Sequence, residues 1–198
     1  DKLDTKSYYF FFKHSAYIAL AITILIIFSF LNQKILTKLS LILFLFAFLS
    51  LLLVPFLGIE VKGSKRWLDL MFLPRFQPVE IVKPFFIVSL SLMLTIQNRR
   101  LYFKYFLSVL LILPILMLLV YQPDIGQTLL ISMVWLALIF ISGINILIFF
   151  MFFFLVGSTV SYLVLFVPKF EYIKIRLFAF LDSSSGNNYQ AEKASDAI

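Results

Sequence analysis

The chain of 198 residues is 62% hydrophobic and only 14% charged, with a mean hydropathy of +1.03. A soluble domain of this length needs more charge to cover its surface, so the composition excludes an ordinary soluble enzyme and predicts an integral membrane protein. The net charge of +7 is spread over separate polar segments and forms no basic stripe with interleaved aromatics, which argues against nucleic-acid binding. The absence of Cys excludes disulfides and thiolate metal sites.

Six apolar segments follow one another along the chain, and each predicts a membrane-spanning helix. Their lengths are close to what is needed to cross ~30 Å of hydrocarbon at ~1.5 Å per residue, and none alternates with the period of two that a membrane barrel requires. The predicted spans are residues 12–31, 39–57, 78–97, 105–121, 126–142 and 146–167. We therefore predict an all-α polytopic integral membrane protein in which residues 1–198 form a single transmembrane domain.

Polar and aromatic residues between the spans predict the topology. The run from Tyr8 to Phe12 is typical of an interfacial aromatic belt, and His14 lies where its tip reaches headgroups, so it is not expected to bind a metal. Both ends are expected to be cut from a longer protein, because the chain begins at Asp1 without a signal-peptide pattern and stops in a polar stretch.

Short turns and longer loops alternate between the two sides of the predicted bundle. The basic turns at 32–38 and 98–104 share one face with the tight turn at 143–145, and the loops 58–77 and 168–198 lie on the other. Total Lys and Arg do not decide the orientation, since the loop face holds more of them mixed with acids. Lys and Arg in such segments are suited to contact membrane lipids.

The densest polar chemistry lies in the loop before the third span. Lys65, Arg66 and Trp67 place two cations beside an indole. This combination is typical of an interfacial anchor, but guanidinium geometry also suits a pyrophosphate clamp, and the residues alone do not separate the two hypotheses.

Two acids stand at positions where an unpaired charge would be costly. Glu80 and Lys83 are three residues apart in the third span, so they can meet on one helix face as a structural ion pair or as part of a polar cavity for an anionic ligand. Asp124 is the only charge between Lys104 and Lys169, and we expect it to have a distant partner such as Arg66, Lys65 or Lys83. The motifs of triad hydrolases, zinc sites and P-loops are missing from the sequence.

Four motifs, in order along the chain, resemble those of the SEDS family (shape, elongation, division and sporulation). The first is Lys62-Gly63-Ser64-Lys65-Arg66-Trp67-Leu68, and the second is Phe76-Gln77-Pro78-Val79-Glu80 with Lys83. The third is Gln122-Pro123-Asp124-Ile125-Gly126, and the fourth is Arg176-Leu177-Phe178-Ala179-Phe180-Leu181-Asp182 followed by Tyr189-Gln190. The segment from Tyr9 to Lys13 looks more like the division branch than the rod-shape branch. The sequence departs from the family pattern at Val79, at Gln127 where a Thr is typical, and at 182–185, which lacks the usual proline.

The resemblance implies a ten-helix peptidoglycan glycosyltransferase of the bacterial inner membrane. Such an enzyme polymerises lipid II, an undecaprenyl-pyrophosphate-linked disaccharide peptide, on the outer face, together with a class B penicillin-binding protein as transpeptidase partner. The chain resembles helices two to seven. The family's catalytic aspartate is expected beyond Ile198, since neither Asp182 nor Asp196 matches it, so we expect no catalytic residue here.

The resemblance also implies a set of substrate-binding residues. Arg66, Trp67 and Lys83 are expected to help hold the pyrophosphate-sugar headgroup, Glu80 to orient Lys83, and Asp124 to shape the same cavity. The full set is Lys65, Arg66, Trp67, Gln77, Glu80, Lys83 and Asp124. No metal ligand and no cofactor is assigned within the chain, and a divalent cation in the full-length enzyme is left open.

Two other functions compete with this one. The chain could be a non-catalytic fragment or a scaffold that only binds the penicillin-binding protein. A lipid transporter would show paired broken helices with internal inverted symmetry, and the sequence shows no such repeat.

Overall fold

A computed structural model of the chain describes residues 2–61, 64–69, 75–96 and 100–175, with side chains described from Tyr8 onward. Within these ranges the chain forms six long helices and a two-stranded hairpin, followed by a short 3-10 helix at Pro168–Phe170. The elements are α1 Lys2–Ser29, α2 Gln33–Leu57, β1 Ile59–Val61, β2 Ser64–Trp67, α3 Pro78–Thr95, α4 Leu101–Tyr121, α5 Ile125–Ile141 and α6 Ile146–Phe166.

Five of these described helices are long and apolar enough to cross a membrane. The remaining one, α5, has 17 residues and is equally apolar in character, but spans only about 25 Å at the usual rise per residue. The predicted class, an all-α polytopic integral membrane protein, is confirmed.

The chain divides into two compact units, Asp1–Leu43 and Phe44–Ile198. In the first unit, α1 begins ten residues earlier than the predicted span. The predicted basic turn at 32–38 is wrong, because α2 already begins at Gln33. Asn32 caps this helix: its Oδ1 accepts hydrogen bonds from the backbone N–H groups of Lys34 at 2.8 Å and Ile35 at 3.3 Å.

The core of the second unit lies between the end of α2 and helices α3, α4 and α5. Helix α3 packs against α4 and α5, and α5 also packs against α6. The aliphatic side chains of this core that have no exposed surface are Leu51, Val54, Val82, Leu90, Ile115, Leu119 and Ile139. Buried Trp135 ties three helices together, since its indole N–H donates to Ser108 Oγ on α4 at 3.3 Å and its ring meets Phe152 on α6 edge-on at 5.1 Å.

Helix α6 has no buried residue and is apolar on every side. Such a helix is unstable in water and suits a lipid environment.

The turn between α3 and α4 lies at the opposite end of the second unit from the hairpin. Part of the predicted turn at 98–104 belongs to α4, and Lys104 Nζ donates to the Leu94 carbonyl oxygen at 3.1 Å. This bond satisfies one of the free carbonyls at the end of α3, and Arg99 falls outside the described residues.

The segment 58–77, predicted to be a loop, contains the hairpin. Strand β1 pairs antiparallel with β2, with Ile59 opposite Trp67, Glu60 opposite Lys65 and Val61 opposite Ser64. The pairing continues beyond β2 through Leu68 and Phe76, whose backbone groups exchange hydrogen bonds of 3.0 and 3.2 Å. Two physical reasons favour strands in this segment. The β-branched residues Ile59 and Val61 alternate with Glu60, a pattern that favours a strand, and backbone N–H and C=O groups beside an apolar bundle need hydrogen-bond partners.

Candidate functional site

Arg66, on β2, contacts the junction between α4 and α5. Its Nε lies 3.5 Å from Asp124 Oδ2 and donates to the Gln122 carbonyl oxygen at 3.3 Å, and its Nη2 donates to the carbonyl oxygen of Pro123. A guanidinium group can make these contacts together because its N–H groups form a rigid fork. The ion pair confirms that Asp124 has a distant cationic partner, and that the partner is Arg66.

Asp124 is the N-cap of α5 and is nearly buried, with 10% of its side chain exposed. Its Oδ1 accepts from the Gln127 backbone N–H at 3.4 Å, and its Oδ2 accepts from Gln77 Nε2 at 3.2 Å. Its carbonyl oxygen accepts from Thr128 Oγ1 at 2.8 Å. A carboxylate at a helix N-terminus is stabilised by the free N–H groups there, so Asp124 joins β2, the entrance of α3 and the start of α5.

Glu80 and Lys83 form the predicted ion pair on the first turns of α3, with Nζ 2.6 Å from Oε2. Proline suits the start of this helix, because a backbone N–H at the position of Pro78 would have no helical acceptor and its absence costs nothing there. Lys83 is largely buried, at 20% exposure, whereas Glu80 is 51% exposed. The pair therefore combines a largely buried ammonium group, fixed by Glu80, with a more accessible carboxylate.

Gln127 connects the two ion pairs. Its backbone N–H donates to Asp124, and its Nε2 donates to Glu80 Oε1 at 2.8 Å. The sequence alone gives this residue no role. A usable signal existed, because the third residue after an acidic N-cap lies on the first turn of the helix and is where a polar side chain commonly joins the cap.

The predicted binding residues separate along β2. Successive side chains of a strand point to opposite faces, and here Ser64 and Arg66 are half-buried while Lys65 and Trp67 are exposed. Trp67 keeps 38% of its surface accessible. The structure thus brings Arg66 into the network with Gln77, Glu80, Lys83 and Asp124, and it leaves Lys65 and Trp67 on the outer side of the hairpin.

Two residues after α6 also bind the α4–α5 junction. The Tyr172 hydroxyl donates to the Pro123 carbonyl oxygen at 2.8 Å. Lys169 Nζ donates to the Tyr121 carbonyl oxygen at 2.6 Å and lies 5.0 Å from the centre of the Tyr121 ring. The sequence alone predicts neither contact, because only the return of the chain after α6 brings these side chains to the junction.

The chemistry of this cluster is that of ion pairs and amides. Within the described ranges, no group of three His, Cys, Asp or Glu side chains is placed to hold a metal ion. Lys83 uses one of its three N–H donors for Glu80, and Arg66 uses part of its fork, so both have donors left for anionic oxygens. The predicted motifs at Lys62-Gly63, 176–182 and 189–190 lie outside the described residues.

Residues 1–198 match the model of the FtsW/RodA/SpoVE family, described as a cell cycle protein. The chain is 33% identical over 191 residues to the probable peptidoglycan glycosyltransferase FtsW of Coxiella burnetii, covering 92% of this chain and 50% of that protein. It is 36% identical over 142 residues to the protein of the same name from Thioalkalivibrio sulfidiphilus, covering 70% of this chain and 34% of that one. These FtsW relatives agree with the predicted division branch.

Solved structures show the same fold. The rod shape determining protein RodA of Thermus thermophilus is similar with a TM-score of 0.64 and 27% identity, over 75% of this chain and 49% of that one. A chain from a structure described as the structural coordination of polymerization and crosslinking by a peptidoglycan synthase complex is similar with a TM-score of 0.72 and 26% identity, over 94% of this chain and 56% of that one. The chain spans about half the length of these relatives. It is a multi-pass membrane protein that belongs to the FtsW/RodA/SpoVE family, the SEDS proteins.

Proposed function

We propose that this chain carries the substrate-binding half of a peptidoglycan glycosyltransferase that polymerises lipid II during bacterial cell division. The observation that carries the proposal is the single polar network that joins Arg66, Asp124, Gln127, Glu80 and Lys83 at one end of an apolar helix bundle. Charged groups at the edge of membrane spans are expected to serve a polar ligand, because burying them otherwise costs free energy.

The network suits a lipid-linked pyrophosphate. The lipid tail of such a substrate remains among apolar helices while its charged headgroup needs cations at the helix ends. Lys83 supplies one cation, held by Glu80, and Gln127 fixes Glu80 in turn. The remaining N–H groups of Arg66 can make bidentate contacts with phosphate oxygens. Trp67 is exposed on the outer face of the hairpin, so in this proposal it does not contact the headgroup held by Arg66 and Lys83.

In this proposal neither described acid in the network acts as the general base. Asp124 accepts from Gln77 and the start of α5 and pairs with Arg66, and Glu80 pairs with Lys83. A general base must be free to take a proton from the acceptor hydroxyl. We therefore assign these two carboxylates to binding and expect another carboxylate of the full-length enzyme to act as the general base.

A lipid II polymerisation assay with the full-length protein and its partner transpeptidase tests the proposal. We expect Glu80→Ala to lower the rate by about tenfold or more, because Lys83 loses the acceptor that orients it. Asp69→Asn is the matched control, since Asp69 is an exposed acid paired with exposed Arg75 outside the network. Unchanged polymerisation by Glu80→Ala would contradict the binding role.

A second candidate is a scaffold that binds a class B penicillin-binding protein without catalysis. The likeness to a chain of a peptidoglycan synthase complex favours such a partner. If this candidate is correct, Glu80→Ala leaves both partner binding and cross-linking by the partner unchanged, and lipid II does not bind to the purified chain. Polymerisation that depends on Glu80 excludes it.

A further inference from the structure

A cavity of about 290 Å³ lies beside the hairpin. It is bounded by the end of α2, the hairpin, the α4–α5 junction and the short 3-10 helix. Of the seven predicted binding residues, only Lys65 lines it; its other polar walls are Glu60, Ser64, Gln122 and Lys169. It adjoins the Arg66 contacts, because Gln122 and Pro123, whose carbonyl oxygens accept from Arg66, also line it. The side chains of Arg66, Glu80, Lys83 and Asp124 do not line it.

Hydrogen-bond donors are concentrated in this cavity. Lys65 and Lys169 contribute two ammonium groups, and Lys169 uses one N–H for the Tyr121 carbonyl oxygen. Gln122 is 3% exposed, and its Nε2 has no hydrogen-bond partner among the described residues.

One acid completes the wall. The strand register sets Glu60 opposite Lys65 on the hairpin. The ion pairs of the described residues do not include one between these two side chains. The cavity therefore presents two cations and a separate carboxylate, which is the charge pattern complementary to a phosphate joined to an ammonium group.

The cavity lies level with the ends of apolar helices. Helices α2, α4 and α6 end at Leu57, Tyr121 and Phe166, and the Lys169 ammonium lies over the exposed Tyr121 ring. Tyr and Lys with these exposures are typical of the membrane–water interface. The volume is at the small end of the range for ligand cavities, so it fits a compact headgroup better than a disaccharide peptide.

We propose that this cavity binds the headgroup of a phosphoethanolamine lipid, with the phosphate at Lys65 and Lys169 and the primary ammonium at Glu60. The lipid tails then extend along the apolar surface of the neighbouring helices. The inference is independent of lipid II polymerisation, because none of the Glu80, Lys83 and Asp124 side chains lines the cavity.

Lipid retention by the full-length protein tests this inference. The protein is placed in phosphatidylcholine nanodiscs that contain a minor fraction of phosphatidylethanolamine or of phosphatidylglycerol, and native mass spectrometry counts the lipids that remain bound after transfer to detergent. We expect phosphatidylethanolamine to be retained over both other lipids. A quaternary choline cannot donate a hydrogen bond to Glu60, and a glycerol headgroup has no cation.

Two substitutions separate the two halves of the headgroup. Lys65→Gln should lower the retention of phosphatidylethanolamine by about three- to tenfold, since a charge-assisted contact is lost. Glu60→Gln should remove the preference over phosphatidylglycerol and leave phosphate binding in place. Lys174→Gln, which removes an exposed Lys that lines a different groove, should retain the wild-type pattern. Lys169→Gln, with a thermal unfolding midpoint as a folding check, should act like Lys65→Gln.

Four results would overturn the inference. They are wild-type retention by Lys65→Gln, an equal loss in Lys174→Gln, a preference for phosphatidylglycerol over phosphatidylethanolamine, and displacement of the lipid by inorganic phosphate. The third result indicates a site for an anionic lipid without an ammonium group, and the fourth a site for soluble phosphate. None of these arms contains lipid II, so a failure here is distinguishable from a failure of the proposed polymerase function.

Discussion

Asp124 joins three parts of the chain that are far apart in sequence. It is paired with Arg66 from the hairpin, accepts from Gln77 before α3 and caps the start of α5. Its isolation in an apolar stretch predicts a partner, because an unpaired buried carboxylate is costly. That the partner is Arg66 rather than Lys65 follows from the alternation of β2, which turns Arg66 inward and Lys65 outward. Lys83 is already paired with Glu80.

Removing Arg66 should destabilise the protein more than removing an exposed Arg. We expect Arg66→Met to cost about 1–3 kcal/mol, since it leaves the Asp124 carboxylate without its cation and the Gln122 carbonyl oxygen without the Arg66 donor. Arg66→Lys should recover only part of this, because an ammonium group cannot reproduce the fork. The measurement is the thermal unfolding midpoint of the protein in detergent.

Arg75→Met is the control for this experiment. Arg75 pairs with Asp69 at 2.9 Å, and both side chains are exposed, so its loss should change stability by less than about 1 kcal/mol. Adding Asp124→Asn to Arg66→Met should restore part of the stability, because the uncompensated charge is then gone. Equal effects of Arg66→Met and Arg75→Met would show that the contacts to Asp124 contribute nothing.

Gln127 offers a second test at the residue scale, which rests on the proposed function. Gln127→Leu removes the donor to Glu80, and we expect lipid II polymerisation to fall about three- to tenfold. Gln127→Glu should lower it further, because it sets a second carboxylate beside Glu80 Oε1. Met133→Leu, an exposed and volume-conserving change on the same helix, should retain the wild-type rate. Wild-type rates for both Gln127 variants would contradict the connecting role.

At the scale of elements, the junction between α2 and β1 determines where Arg66 lies. The Gly58 backbone N–H donates to the Val54 carbonyl oxygen at 2.8 Å, and the chain then enters the hairpin. A Cβ added to Gly58 would lie 2.3 Å from that same oxygen. The close approach of the backbone leaves room for glycine alone, so the hairpin starts at a defined angle to the helix.

Gly58→Ala should therefore disturb the hairpin. We expect a loss of about 1–3 kcal/mol, since the added methyl group meets backbone rather than a flexible side chain. The thermal unfolding midpoint reports the loss, and hydrogen exchange at Ile59–Trp67 reports its location. Gly157→Ala on α6 meets nothing within 4 Å and should be neutral or stabilising by up to about 1 kcal/mol. A Gly58→Ala protein with wild-type stability and exchange would show that this junction tolerates a side chain.

At the scale of the whole molecule, the two ends of the second unit differ in chemistry. The hairpin, the Glu80–Lys83 pair and the α4–α5 junction share one end, whereas Lys104 and the turn before α6 occupy the other. We propose that the hairpin end lies on the outer side of the bacterial inner membrane. Total Lys and Arg do not decide between the two orientations.

Cysteine labelling can measure it, because these 198 residues contain no Cys. Asp69→Cys lies in the exposed segment after β2, and Asn145→Cys lies at the exposed turn before α6. In intact spheroplasts we expect a membrane-impermeant maleimide to label the first variant, and the second only after permeabilisation. The reverse pattern would place the network on the cytoplasmic side and exclude a role at the outer face.

The sequence by itself determined the membrane class and the six apolar helices, because a long apolar segment in lipid must satisfy its backbone hydrogen bonds internally. It also determined the pairing of Glu80 with Lys83, since residues three apart lie on the same face of a helix. It left 58–77 as a loop and misjudged the start of α2, since strand pairing and capping depend on contacts and side-chain geometry that periodicity does not report. Only the tertiary structure decided that Arg66 meets Asp124, that Gln127 bridges to Glu80, and that Lys65 lines a cavity with Lys169 instead of joining the Arg66 network. These pairings join segments about fifty residues apart, and the packing of α3 against α4 and α5 brings them together.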